Sequence, residues 1–142
     1  MAEAYDLDPG TPSARIVNLS VRNQVGTGDN ILIVGFVISG ANPVTLLIRG
    51  VGPALTQFGV GGALANPRLQ LFNGTSLVGD NDDWGGLAQL SGAFATVGAF
   101  ALPAASRDSA LLVTLQPGGY TAQVSGLNGT TGVALIEVYE VP

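Results

Sequence analysis

The chain has 142 residues with a net charge of -5, and its five basic residues are all arginine, so it contains no histidine, cysteine or lysine. These absences exclude imidazole bases, thiolate nucleophiles, Schiff-base lysines and phosphate-loop lysines. The arginines are scattered singly, leaving no cationic stripe to displace counterions from nucleic acid, so a nucleic-acid partner is not expected.

A hydrophobic content of 46% and a mean hydropathy of +0.42 suit one domain with a sizeable core. Short Val, Ile, Leu and Thr runs between 21 glycines and 8 prolines predict many strands joined by tight turns. No apolar run approaches the ~20 residues of a membrane-spanning helix, the longest being Ile31–Ile38, and no secretory apolar region opens the chain, so a soluble domain is expected. Without cysteine, the redox compartment stays open.

In chain order, residues 1–13 hold Glu3, Asp6, Asp8, Pro9 and Pro12 without sustained alternation, and read as an acidic extended arm or linker. A single domain is expected over residues 14–142. Arg15–Arg22 puts Val17, Leu19 and Val21 on one face, the period of a half-buried strand, and Gly26–Asn30 turns the chain. Ile31–Ile38 and Val44–Ile48 are nearly continuous apolar runs and read as two buried central strands joined as a hairpin through Ser39–Pro43. Pro53–Phe58 reads as a helical turn with proline at its first position, ended by the glycines that follow. Because the strand pattern lacks a βαβ context, Gly50–Leu55 reads as a strand end and turn, not a phosphate loop.

Arg68–Phe72 alternates again, and Asn73-Gly74 predicts a type I′ hairpin into Ser76–Val78. Gly85–Pro103 reads as a loop with one weak helix. Ala110–Leu115, Tyr120–Val124 and Val133–Tyr139 read as three strands linked antiparallel by turns at 116–119 and 127–132. About eight strands at this spacing predict an all-β, antiparallel β-sandwich of jelly-roll type.

The densest knot of charge is Asp80-Asn81-Asp82-Asp83, followed by Trp84. Three carboxylates and an amide in four positions repel one another unless a hard cation with several oxygen ligands neutralises them. The expected cofactor is therefore Ca²⁺, with Asp80, Asn81, Asp82 and Asp83 as ligands and Asp108 or Asp29 brought near by folding; the alternative is a solvated turn. Trp84 is the aromatic expected to touch a ligand, and with Tyr120 and Tyr139 it could form a sugar-stacking platform. A catalytic reading requires Asp82 or Asp83 across a groove from Asp108 or Glu137, with nothing in the spacing to fix their separation.

The C-terminal half orders its motifs as a strand at Leu69–Phe72, an Asn-Gly turn, a second strand and the acidic loop. Ser109–Leu115, Pro117-Gly118-Gly119-Tyr120-Thr121 and Val124-Ser125-Gly126 then follow. This order resembles the bacterial pre-peptidase C-terminal domain family, which is similar to the collagen-binding domains of secreted clostridial collagenases and some of whose members bind calcium. Tyr120 falls where that family places a core-anchoring tyrosine. Leu46–Leu55, with Gly59-Val60 and Ala65-Asn66-Pro67, looks like a module repeated in large secreted bacterial proteins.

The resemblance implies a bacterial extracellular or cell-surface location and a non-catalytic structural or adhesive role. The implied partners are an extracellular polymer or the neighbouring domains of a larger chain. Two alternatives stand beside it: a self-associating subunit of an extracellular filament built by strand addition, and a carbohydrate-binding module.

Overall fold

A computed structural model describes residues 17–142 and the backbone of Ala2–Glu3. Most of the acidic arm, the expected domain start at Ala14, and Arg15-Ile16 lie outside the described residues.

The strands are β1 (Ala2–Glu3), β2 (Asn18–Val25), β3 (Leu32–Ile38), β4 (Val44–Val51), β5 (Pro67–Asn73), β6 (Ser76–Asn81), β7 (Ser109–Leu115), β8 (Gly118–Gly126) and β9 (Gly132–Glu140). They form two sheets, ordered β1-β3-β8-β5-β6 and β2-β9-β4-β7. All pairings within the sheets are antiparallel except the two-residue β1 pairing with β3. The fold is an all-β sandwich, as the turn spacing predicts.

Alternation decides what fills the space between the sheets. Leu32, Val34, Leu69, Leu71, Ala122 and Val124 of the first sheet meet Leu46, Ile48, Ala134, Ile136 and Val138 of the second. The second sheet is covered on its other face as well. Leu47, Val51, Ala110 and Tyr139 pack there under Leu55, Trp84, Leu90, Phe94 and Leu102. Burial on both faces is why Val44–Val51 is nearly continuous in apolar residues. The covering layer consists of a 3₁₀ turn, Pro53–Phe58, and one helix, α1 (Ala88–Val97), which Gly98 ends in the left-handed conformation at φ 71°. The helix falls in the segment that is least legible from sequence.

Three sequence expectations fail on connectivity. β3 and β4 do not form a hairpin, because Ser39–Pro43 carries the chain from one sheet to the other. Nor is β3 central: it has only β1 beyond it, and Val37 on its outer face is 67% exposed. The three C-terminal strands do not pair with one another, since β7 lies on β4, β8 between β3 and β5, and β9 between β2 and β4. A short turn can cross the gap between two sheets as readily as it can close a hairpin, and apolar pattern does not distinguish the two cases. The β5–β6 hairpin does form, but its central residues are Gly74 and Thr75, and only Gly74 has positive φ, so the turn is not type I′.

Gly52 sits at the join of β4 and the 3₁₀ turn, where a Cβ would lie 2.1 Å from the carbonyl oxygen of Leu64. Gly61, by contrast, has open space. Gly52→Ala is therefore expected to cost about 3 kcal/mol, whereas Gly61→Ala stays within about 0.5 kcal/mol, both read from urea midpoints at constant m-value.

Candidate functional site

The acidic loop begins at the end of β6. Arg68, opposite it on β5, donates from Nε to Asp80 Oδ1 at 3.0 Å and from Nη2 to Oδ2 at 2.6 Å. These hydrogen bonds, with the charge behind them, hold the Asp80 carboxyl below its ordinary range and raise that of the Arg68 guanidinium. The pair is partly exposed, so it contributes only about 0.2–1 kcal/mol. The Asn81 amide is used at both ends: Nδ2 donates to the Asp83 carbonyl at 2.9 Å, and Oδ1 accepts the Ala110 N–H at 3.0 Å, fixing the loop to β7. Asp82, Asp83 and Asp29 are exposed.

Asp108 is fully buried and turned to a different task. Its Oδ1 accepts the N–H groups of Gly52 at 2.8 Å and Ala54 at 3.3 Å, and its Oδ2 accepts the Ser106 hydroxyl at 2.6 Å. The backbone donors of the glycine loop thus hold the protein's own carboxylate. Among the described residues, no group of three or more acidic side chains is gathered in one place.

Trp84 is 3% exposed, with Nε1 donating to the Pro103 carbonyl at 3.1 Å and its ring 5.3 Å from that of Phe94. Its backbone N–H is held by the Asp108 carbonyl at 2.9 Å. The expected ligand-contacting indole is instead a core residue, because the covering layer encloses it. Tyr120 is buried between the sheets against Phe36, as expected, and its hydroxyl donates to the Gln116 carbonyl. Trp84, Tyr120 and Tyr139 are all buried, Tyr120 in one apolar cluster and the other two in the second, so they present no stacking platform.

Under the covering layer lies a network of residues far apart in the chain. β4 and β9 pair so that Arg49 stands opposite Glu137. Arg49 donates from Nε at 2.8 Å and from Nη2 at 2.5 Å to Glu137 Oε2, while Nη1 donates to the Phe100 carbonyl at 2.6 Å. Phe94 and Phe100 stack on the guanidinium, their ring centres 4.8 and 4.3 Å away. Tyr139 donates to the other Glu137 oxygen at 2.8 Å, and burial, then this hydrogen bond, pushes its phenol up to about 12. A lone arginine in one apolar run and a lone glutamate in another is the signal that could have found the pair. Asp108 and Glu137, the carboxylates considered for acid-base work, are both interior and fully engaged.

Removing one member of a buried pair strands the other's charge, so Glu137→Gln is expected to lose about 3 kcal/mol or more of stability. Arg49→Met combined with Glu137→Leu should lose less than the sum of the single changes. A phenol whose pKa is raised on folding contributes stability that is complete below its unfolded value near 10 and is lost as pH rises towards about 12. Tyr139→Phe should accordingly flatten the fall in melting temperature between those limits, as measured by calorimetry across alkaline pH.

No family model matches this sequence, and no curated protein matches it. The fold is similar to that of the pre-peptidase C-terminal domain of collagenase from Bacillus anthracis, with a TM-score of 0.51 and 13% identity. The match covers 86% of this chain and 89% of that one, so the likeness extends over most of both chains and joins them at the level of fold.

Proposed function

We propose that this chain is a non-catalytic structural or adhesive module of a secreted or cell-surface bacterial protein. The observation that carries the reading is the shared fold with the collagenase's pre-peptidase C-terminal domain over nearly the full length of both chains. The disposition of the ionisable groups supports it. Arg49, Glu137 and Asp108 are turned inward to fasten the covering layer, and Arg68 and Asp80 tie neighbouring strands. Groups held in fixed internal pairs stabilise a scaffold and offer no proton to a substrate.

Calcium on the acidic loop belongs to this reading as its second part, carried by the exposed carboxylates of Asp82 and Asp83 with loop carbonyls. A bound ion stabilises the folded state by mass action.

Cosedimentation with insoluble collagen, cellulose and peptidoglycan tests adhesion, and retention on one of them is the expected outcome. Turnover of a peptide or glycoside that Asp83→Asn abolishes would overturn the non-catalytic reading. Thermal unfolding in millimolar calcium against EDTA decides the ion: a rise in melting temperature that Asp82→Ala erases assigns it to the loop, and equal curves remove it.

A further inference from the structure

We propose that the groove between β2 and the covering layer binds a small carboxylic acid built on one aromatic ring, with its carboxylate on Arg22 and its ring against Phe58 and Phe100. The groove follows from the topology. The covering layer packs on β4, β7 and β9, through Leu47, Val51, Ala110 and Tyr139, and β2 lies beyond them at the edge of the sheet. β2 pairs with β9 so that Ser20 stands opposite Glu137 and Arg22 opposite Leu135. Paired residues share a face, so Ser20 and Arg22 continue the face that the covering layer buries farther in. The step between the two is a cavity of about 360 Å³, lined by Ser20 and Arg22 of β2, Leu135 of β9, and Leu55, Phe58 and Phe100 of the covering layer.

Each part of the lining selects a part of the ligand. Arg22 is exposed and forms no ion pair with a described residue, whereas Arg49 and Arg68 each hold a carboxylate. A guanidinium takes a carboxylate through two parallel N–H donors, and the Ser20 hydroxyl, on the same face of the strand, is a further donor. No carboxylate of a described residue lines the groove, so the charge it favours is negative. The rest of the lining is apolar. Phe58 is 59% exposed and meets Phe100 edge-on, with ring centres 4.9 Å apart and planes at 68°. A third ring laid on this pair covers the apolar surface that Phe58 leaves exposed and extends the edge-to-face arrangement. Phe100 is a fixed wall, because its carbonyl accepts from Arg49 Nη1 and its ring lies 4.3 Å from the same guanidinium. Binding therefore has little left to order there. The volume is at the small end of ligand pockets, which suits one ring on a short stem and not a polymer.

The test is titration of the isotope-labelled full chain with 3-phenylpropanoate, followed by NMR. Saturable shifts are expected at Ser20, Arg22, Phe58 and Phe100, with a Kd on the order of 1 mM because the ligand is small. 3-Phenylpropan-1-ol, the same body without the charge, should bind at least about tenfold more weakly. Arg22→Gln and Phe58→Ala should each weaken binding of the acid by about as much, at unchanged melting temperature. The comparison of acid with alcohol uses the unaltered chain and stands whether or not a variant folds. Absence of saturable shifts up to the solubility limit of the acid, equal binding of acid and alcohol, or shifts confined to another face overturns the proposal. An acetylated tripeptide ending in phenylalanine that binds at least about tenfold tighter than the free acid would place a polypeptide terminus in the groove and overturn the small-molecule assignment.

Discussion

An arginine with no exposed surface has given up its hydration, and the fold bears that cost only because every group around Arg49 answers it. Glu137 supplies the countercharge, the Phe100 carbonyl accepts from Nη1, and two aromatic rings cover the guanidinium. The arrangement makes three parts of the chain interdependent: β4 brings the cation, β9 the anion, and the segment after α1 the carbonyl and one ring. Buried ion pairs add little net stability compared with apolar side chains, but removing one partner leaves the other's charge buried and uncompensated. One contact set thus ties β4 to β9 and both to the covering layer.

Asp108 does for the other end of the covering layer what Arg49 does for its centre. It gathers the N–H groups of Gly52 and Ala54, the hydroxyl of Ser106 and, through its carbonyl, the N–H of Trp84. Gly52 is required there because the Leu64 carbonyl occupies the space of a side chain. Together the two anchors turn a two-sheet sandwich into three packed layers. Other groups face outward, among them the carboxylates of Asp82 and Asp83 and the ring of Phe58.

Much of the fold was legible in the residues themselves. Alternation, apolar runs and turn residues located all eight long strands to within a few residues, proline placed the 3₁₀ turn at Pro53–Phe58, and Tyr120 was rightly assigned to the core. Less of the site was legible. Asp80 to Asp83 looked like a cluster only along the chain: folding pairs Asp80 with Arg68, ties Asn81 to β7 and turns Asp108 inward. Trp84 followed the loop in sequence but is enclosed by α1 in space. Helix α1 itself was weakly signalled, since alanines and glycines carry little apolar contrast between faces.

The sequence by itself determined the strand content, the turns and the want of histidine, cysteine and lysine chemistry, because these follow from local periodicity and residue type. Only the tertiary structure decided which strands share a sheet, that Arg49 and Glu137 meet, and that a third layer buries Trp84. Those outcomes depend on contacts between residues far apart in the chain, such as the 88 positions separating Arg49 from Glu137, and short-range pattern holds no record of which distant partner relieves a buried charge.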